Sequence, residues 1–236
     1  LLGSKSASSQ IYPDAILRSG DCNFMLRRYN QAFERYDNII KYKMKGADYA
    51  YYQKGMLAGL LGDYDKKVDN LKLLNKNYPQ SYYTDDALFQ IALTQVAMNN
   101  NQEAVKTHQQ LINDYPESEY VPKSLVNLGL IYYNLADYNK SVQFYELVLK
   151  RFPKNNEAKE ALAGVRDVYV AKGDAEGYVQ FTKKFPGMEV SNAAQDSLSY
   201  EIAESYYTKG DCNNATTEFT KYLAAYPNGA YILYAH

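Results

Sequence analysis

Residues 115–153 read YPESEYVPKSLVNLGLIYYNLADYNKSVQFYELVLKRFP, which is the pattern of two amphipathic helices joined by a short turn. In each half, apolar residues recur at steps of three and four, as one buried face of an α-helix requires. The first stripe is Leu125, Leu128, Tyr132 and Leu135, and the second is Val142, Tyr145, Val148 and Leu149. Asp137 and Tyr138 interrupt the pattern between the two stripes. Because Pro153 cannot continue a helix, the stretch predicts helix, turn, helix and stop.

The same stretch recurs along the chain, and the prolines show its period. Six of the seven prolines follow an aromatic residue, at positions 13, 79, 116, 153, 186 and 227. From Pro79 onward, the first two intervals between these prolines are equal in length, the third is shorter and the fourth is longer. The interval between Pro13 and Pro79 leaves room for two units. A mean period of roughly 37 residues is typical of a helical repeat array.

Small residues occupy fixed places within the period. Twenty-four residues before four of the prolines stand Gly55, Ala92, Gly129 and Ala203, and twelve residues later stand Lys67, Ala104, Ser141 and Ala215. Small side chains at regular steps allow two helix backbones to approach closely. The serines two residues after proline, Ser81 and Ser118, are placed to cap the helix that follows, and residues 62–64 and 210–212 are placed as turns within a pair.

These residues resemble the tetratricopeptide repeat family. The best copy has Leu128-Gly129, Tyr132, Tyr138, Ser141 and Pro153 at the family's positions, and Lys54 and Lys67 depart from the pattern in the second copy. The resemblance implies an all-α fold, a right-handed superhelical solenoid of antiparallel helix pairs with about six repeats. The fifth copy is shortened before Pro186, so we expect its second helix to be about one turn short.

The repeat pattern also divides the chain. We expect residues 1–11 to be an N-terminal tail or the end of a preceding repeat, and residues 12–228 to be the array. Residues 229–236 then begin a truncated seventh unit, and we expect the natural protein to continue past residue 236. The junction pattern aromatic-Pro-x-Ser-x-Tyr is similar to that of Gram-negative envelope repeat proteins. Examples are the outer-membrane assembly lipoprotein and the Tol–Pal coordinator. This implies a periplasmic or outer-membrane location.

Composition excludes several functions. Lys and Arg number 26 against 27 Asp and Glu, so no basic surface is available for nucleic acid, and a helical repeat that reads RNA is disfavoured. The apolar run Met56–Gly62 is far shorter than the ~20 residues that span a bilayer. Two cysteines, Cys22 and Cys212, and two histidines are too few for a disulfide framework or for most metal sites.

Two candidates for chemistry have simpler structural interpretations. His108 occupies the slot where the family places a core aromatic residue, so we expect it to pack between helices rather than to act as a base. Asp85 and Asp86 fit the solvated first turn of a helix, where carboxylates complement the helix dipole. We predict no catalytic residues, no metal site and no cofactor, and therefore no enzyme.

The remaining candidate is the concave face that the first helices of the repeats form. In the family, fixed positions of these helices line a groove, and here those positions are mainly apolar and aromatic. The Lys, Arg and Asn of the family's carboxylate clamp are absent from them. The predicted groove residues are Tyr49, Tyr52, Phe89, Tyr133, Asn134, Tyr200 and Tyr207.

These aromatic side chains favour a non-catalytic scaffold whose partner is a protein or peptide segment with hydrophobic anchors. Two other interpretations stay open. Some of these rings are also compatible with packing against the next repeat. A glycan-binding platform of an outer-membrane sugar-uptake system fits the 26 tyrosines, but the absence of tryptophan argues against it.

Overall fold

A computed structural model describes residues 4–235, with side chains from Tyr12 onward. Over this range the regular structure consists of thirteen α-helices. They are α1 Ser4–Met25, α2 Tyr29–Lys41, α3 Ala47–Leu60, α4 Tyr64–Asn77, α5 Thr84–Ala97, α6 Asn101–Asp114, α7 Tyr120–Asn134, α8 Tyr138–Arg151, α9 Asn156–Lys172, α10 Ala175–Thr182, α11 Asn192–Thr208, α12 Cys212–Ala225 and α13 Ile232–Ala235. The predicted all-α fold class is confirmed.

Within each unit, most helices pack on the helices next to them in the chain. The chain divides into two compact units, residues 1–124 and 125–236. In the first unit each of the helices α1 to α5 contacts the helix that follows it, and in the second unit α8 to α12 do the same. In the second unit α9 also contacts α11, so two first helices lie side by side there. Short turns between consecutive helices give the helix-pair repeat that the sequence predicts.

The turn within each pair repeats more regularly than the prolines do. A residue with a left-handed backbone follows the first helix at Gly62, Asn99, Ala136, Gly173 and Gly210, which are evenly spaced along the chain. The next residue is the N-cap of the second helix, and these residues are Asp63, Asn100, Asp137, Asp174 and Asp211. All four aspartates accept a hydrogen bond from the backbone N–H three residues on. The irregular spacing of the prolines therefore arises after these turns.

The irregular proline spacing arises in the fifth helix pair. Its second helix, α10, has 8 residues, whereas α8 and α12 have 14. The shortening is confirmed, but it is six residues, more than the single turn expected. The chain compensates with the longer connection between Thr182 and Asn192.

Two sequence-based expectations about the junctions are wrong. Pro13 lies inside α1, so Tyr12-Pro13 does not end a helix there. Ser81 does not cap α5, because its hydroxyl does not accept the backbone N–H of the residue three positions later. Instead the Ser81 hydroxyl accepts the N–H of Tyr83 at 3.2 Å and donates to Asp48 of the preceding repeat at 2.7 Å. Ser118 repeats this by donating to Asp85 at 2.6 Å, so these serines connect successive repeats.

Small residues in the repeat make room for large ones. A Cβ on Gly129 would lie 2.5 Å from the Tyr145 ring, and a Cβ on Gly20 would lie 2.8 Å from the Tyr36 ring. Both tyrosines are buried. In the first unit, Tyr36 belongs to a core cluster with Ala32, Ile39, Ala47, Ala50 and Leu57. The glycines therefore bring the helices of a pair close enough for one ring to fill the space between them.

Lys67 stands where the repeat usually has a small residue, and the structure accommodates it. Gly59 lies opposite, where a Cβ would be 2.5 Å from the Lys67 side chain. The Lys67 ammonium donates to the Gln90 side chain at 3.0 Å, and burial lowers the pKa of Lys67. The lysine thus extends across to α5 instead of occupying the core.

Within residues 4–235, no helix is both long enough and apolar enough to cross a membrane.

Candidate binding face

The seven predicted groove residues all lie on first helices of the repeats, but they fall in both compact units. Tyr49 and Tyr52 are on α3 and Phe89 is on α5, in the first unit. Tyr133 and Asn134 are on α7, and Tyr200 and Tyr207 are on α11, in the second unit. Their surroundings are described for each unit separately. We call the exposed surface of the first helices in each unit its first-helix face.

Three of the predicted aromatic residues stack on a tyrosine of the next junction. The pairs are Tyr52 with Tyr83 at 5.2 Å between ring centroids, Phe89 with Tyr120 at 5.0 Å, and Tyr200 with Tyr231 at 4.6 Å. The interplanar angles are 27°, 26° and 13°. The two rings of each pair are separated by the same distance along the chain, so this is one contact repeated between successive repeats. Stacked aromatic rings add to the stability gained from their burial.

The stack changes the interpretation of Phe89. The ring is only 8% exposed, because Tyr120 covers one face and the His108 ring lies 5.9 Å from it. Phe89 therefore offers little surface to a partner, in contrast to its predicted place in the groove. Phe89 instead packs against the next repeat, which is the alternative that the sequence left open.

Hydrogen bonds to carboxylates hold the tyrosines of the first unit in place. The Tyr52 hydroxyl donates to Asp86 at 2.5 Å. Burial and this bond raise the pKa of Tyr52, and burial together with Asp86 raises the pKa of Tyr120 to about 12. A phenol that donates to a carboxylate stays protonated, because ionisation would place two negative charges together. Asp86 therefore interacts both with Tyr52 of the preceding first helix and with Tyr120 of the following junction.

Asp21 has the same role in the preceding repeat. It accepts hydrogen bonds from the Tyr36 hydroxyl at 2.8 Å and from the Tyr49 hydroxyl at 3.0 Å. Burial and Asp21 raise the pKa of both phenols. In the first unit, the hydroxyls of Tyr49 and Tyr52 are thus already used within the protein.

The second unit leaves more of its first-helix face open. Tyr133 is half-buried and its ring lies 5.8 Å from Tyr138, while Asn134 is exposed. Burial, and then the nearby Asp167, raise the pKa of Tyr133. Partial desolvation by neighbouring protein atoms also raises the pKa of Asp167, although this residue is exposed. A neighbouring ion pair between Arg166 and Glu201 joins α9 to α11.

Among the predicted aromatic residues, Tyr207 is the one that is exposed, at 66% on α11. It lines a pocket of about 470 Å³ between α11, α12 and α13. The pocket is lined by Tyr200, Glu204, Tyr207, Cys212, Ala215, Thr216, Phe219, Tyr234 and Ala235. Four aromatic rings surround the space, and Glu204, which is exposed, is the one acidic side chain among its described lining residues. An apolar side chain with a polar or cationic end suits such a pocket.

The junction partners of the stack were not predicted, although the sequence contains their signal. Tyrosines four residues after proline belong to the predicted junction pattern, and these residues are Tyr83, Tyr120 and Tyr231. Each follows an aromatic residue of the preceding first helix at the same distance along the chain, which indicates the contact. That regularity is visible in the sequence once the repeat register is known.

The two candidates for chemistry have structural roles. His108 is fully buried and, among the described residues, neither ring nitrogen has a hydrogen-bond partner. Asp85 and Asp86 lie in the first turn of α5 as predicted. The expectation that both are merely solvated is wrong, since Asp85 accepts from Ser118 and Asp86 from Tyr52. Among residues 4–235, no group of three or more His, Cys, Asp or Glu side chains is arranged to hold a metal ion.

Comparison with known folds agrees with the helix-pair geometry. The crystal structure of MamA has a TM-score of 0.58 at 16% identity, covering 84% of this chain and 94% of MamA. PilW, described as a widely conserved type IV pilus biogenesis factor, has a TM-score of 0.54 at 14% identity, covering 93% of this chain and 96% of PilW. A tetratricopeptide repeat protein from Parabacteroides merdae has a TM-score of 0.54 at 14% identity, covering 90% of this chain and 92% of that protein. At these identities the likeness concerns the fold alone.

No curated protein matches the chain in sequence. Family models of the tetratricopeptide repeat match residues 49–81, 86–118, 122–155 and 196–229. These segments make up more than half of the chain and begin at the first helix of a pair in each case. The chain therefore belongs to the tetratricopeptide repeat family.

Proposed function

We propose that this protein is a non-catalytic scaffold that binds a protein or peptide segment on its first-helix face. The observation that carries the proposal is the aromatic pocket beside Tyr207 in the second unit. Tetratricopeptide repeat proteins generally act as protein-interaction scaffolds, which supports a binding function without catalysis.

The pocket has the properties of a contact site for a single anchoring side chain. Its volume of about 470 Å³ lies within the ~300–1,000 Å³ range of binding pockets. Tyr207 lines the pocket and is 66% exposed on α11, so a partner would bury its ring. Tyrosine gains large contact area for little loss of conformational entropy, which favours binding.

The charges around the pocket indicate the chemistry of the segment. Glu204 lines the pocket, and Asp167 occupies the same repeat position on α9, in the preceding repeat. Both side chains are exposed. We infer an extended or helical segment with an apolar or aromatic anchor, flanked by Lys or Arg residues that face these carboxylates.

The first unit contributes less to this function in our proposal. Phe89 is buried, and the hydroxyls of Tyr49 and Tyr52 donate to internal carboxylates. Removing these side chains would therefore disturb packing before it tested binding. Tyr133, Asn134, Tyr200 and Tyr207 of the second unit are the residues on which the proposal depends.

The same geometry argues against a glycan platform. A ring that stacks on a sugar needs a free face, and the rings of Tyr52, Phe89 and Tyr200 each have one face covered by a junction tyrosine.

A place in cell-envelope assembly or maintenance belongs to the same proposal. Its support is the junction pattern aromatic-Pro-x-Ser-x-Tyr, seen at Tyr78 and Tyr115. Fractionation of the native cells, with antibody detection, tests the location. Recovery in the cytoplasmic fraction would contradict an envelope role without affecting the binding proposal.

A peptide selection tests the binding proposal. Peptides displayed on phage are selected on the protein, and the affinity of the enriched peptide is then measured by calorimetry. We expect Tyr207→Ala to weaken binding roughly tenfold or more, because aromatic anchors dominate such interfaces. The matched control is Tyr82→Ala, since Tyr82 is 87% exposed on the first unit, outside the pocket.

Two results would overturn the proposal. One is the absence of any enriched peptide from a selection in which a control repeat protein yields one. The other is equal affinity of the Tyr207→Ala and Tyr82→Ala proteins for the peptide. A glycan array run on the same protein tests the sugar-binding alternative, and a signal there that Tyr207→Ala removes would favour it.

A further inference from the structure

Large aliphatic side chains are exposed where the first two helix pairs turn. Met25 ends α1 and Leu26 follows it, while Leu60 ends α3 and Leu61 follows it. These four side chains are between 51% and 80% exposed. Single exposed leucines are ordinary, but several exposed apolar side chains on two successive turns indicate an interaction site.

A pocket shows that the two turns lie side by side. It has a volume of about 390 Å³ and is lined by Arg27, Arg28, Tyr29, Asn30, Gln31 and Leu61. Residues of the first turn and the start of α2 thus share one space with Leu61 of the second turn. Leu61 and the two arginines therefore line one surface, and Met25, Leu26 and Leu60 are exposed next to them in the chain. We call this set the turn patch: Met25, Leu26, Arg27, Arg28, Leu60 and Leu61.

The arginines give the turn patch a positive charge. In the later repeats the second helix begins after Asp63, Asn100 or Asp137, whereas α2 begins after Arg28. Within the described residues, neither Arg27 nor Arg28 forms an ion pair, and the first turn of α2 holds no acidic side chain. Asp63, which caps the second helix of the next pair, forms an ion pair with Lys66 at 2.6 Å.

We propose that the turn patch binds the surface of an anionic phospholipid bilayer. The arginines would contact lipid phosphates at the pocket, and Met25, Leu26, Leu60 and Leu61 would enter the boundary between headgroups and acyl chains. Peripheral binding of this kind requires apolar side chains together with basic residues, and needs no spanning helix. This surface is separate from the peptide pocket and does not depend on the proposed function.

The size and shape of the turn patch favour lipid over a protein partner or a second copy. A stable protein interface uses about 20–30 residues on each side, and the turn patch has six. Of its apolar side chains only Leu61 lines the pocket, and the other three are exposed outside it. A bilayer has no fixed shape to match, so a few projecting side chains and two charges suffice for reversible binding.

Vesicle sedimentation tests the proposal on the full chain. Vesicles contain phosphatidylcholine alone or phosphatidylcholine with phosphatidylglycerol in roughly equal parts. We expect the protein to sediment with the anionic vesicles and to be released by high salt. Leu60→Ser with Leu61→Ser should lower the partition coefficient about tenfold or more. Arg27→Gln with Arg28→Gln should lower it roughly thirtyfold on anionic vesicles, at about 1 kcal/mol per arginine.

The control pair is Leu73→Ser with Tyr82→Ser, which removes two exposed apolar side chains of the same unit away from the turn patch. Circular dichroism establishes that each variant is folded before sedimentation. Failure of the unmodified protein to bind anionic vesicles would overturn the proposal. So would equal losses in the turn-patch and control variants. A self-association in ultracentrifugation that the leucine variant abolishes, without vesicle binding, would assign the patch to a second copy instead.

Discussion

At the scale of single residues, Ala136 shows how the repeat tolerates a poor substitution. It has a backbone φ of +56°, in the left-handed region where the other turns have Gly62, Asn99, Gly173 and Gly210. A side chain with a Cβ is strained there by about 1–2 kcal/mol, and glycine is not. The turn is nevertheless formed, because the helices on both sides of it are packed.

We expect Ala136→Gly to stabilise the protein. The relief of strain is partly offset by the greater flexibility of glycine in the unfolded chain, which leaves a gain of about 1 kcal/mol. Urea denaturation measures the free energy of unfolding. Ala163→Gly, at an exposed position within α9, is the control and should destabilise by roughly 0.5–1 kcal/mol. A loss of stability in both variants would contradict the assigned backbone conformation.

His108 makes the stability depend on pH. Burial lowers the pKa of its imidazole from 6.5 to about 4, so the folded protein holds it neutral where the unfolded chain binds a proton. Its contribution to stability is therefore complete above pH 6.5 and is lost as the pH falls toward 4. The loss amounts to roughly 3 kcal/mol.

His108→Phe removes this dependence and keeps the edge contact with Phe89, whose ring centroid lies 5.9 Å away. We expect the variant to be at least as stable as the unmodified protein at pH 7. Its advantage should grow as the pH falls from 6.5 toward 4. Thermal denaturation at a series of pH values measures the difference, which cancels the titration of carboxylates common to both proteins. A difference that is constant with pH would show that His108 is not the group responsible.

At the scale of secondary-structure elements, the beginning of each second helix is defined by its capping residue. Asp174 accepts the N–H of Gly177 at 2.7 Å at the start of α10. This helix has only 8 residues, so it has few internal hydrogen bonds to compensate for a lost cap.

Asp174→Ala should therefore destabilise the second unit by about 1 kcal/mol, while Asp174→Asn should retain most of the stability. Hydrogen exchange of the α10 amides provides the measurement, because fraying exposes the first turn before the rest of the unit. If the alanine and asparagine variants exchange at the same rate, the side chain does not act as a cap.

The aromatic stack is also a property of elements rather than of single residues. Each stack joins a first helix to the junction that precedes the next one, as in Phe89 with Tyr120 and Tyr200 with Tyr231. The junction serines reinforce it through their bonds to Asp48 and Asp85. Successive repeats are therefore held in register by both apolar and polar contacts.

At the scale of the whole molecule, a repeat array has only neighbouring contacts, so a local defect should have local effects. Leu57 is fully buried in the core of the first unit, and Leu198 in that of the second. Replacing either with alanine removes a large side chain and leaves a cavity, at a cost of about 3 kcal/mol.

We expect Leu57→Ala to accelerate hydrogen exchange mainly within residues 12–124. Leu198→Ala serves as the reciprocal control and should act mainly within residues 125–235. Mass spectrometry of peptic fragments resolves the two units. Equal acceleration in both units by either variant would mean that the chain unfolds as one cooperative block.

The helix-pair architecture was predictable because its causes are local. Helices end before Pro79, Pro116 and Pro153 because proline cannot continue a helix. Gly55 and Gly129 indicate where the two helices of a pair approach closely. The prediction of a junction at Pro13 is wrong, because an aromatic-Pro pair does not by itself prevent a helix from continuing through it. The six-residue deficit in α10 was predicted in direction but not in size.

The sequence by itself determined the period, the helix pairs and the turns, because these follow from side chains within a few residues of one another. Only the tertiary structure decided which tyrosines are free to meet a partner. Tyr52 and Tyr207 are both tyrosines on first helices of the repeat. The Tyr52 hydroxyl donates to Asp86 and its ring is covered by Tyr83, whereas Tyr207 is 66% exposed. The difference lies in contacts that cross from one repeat to the next, where burial depends on what the neighbouring repeat places against each ring.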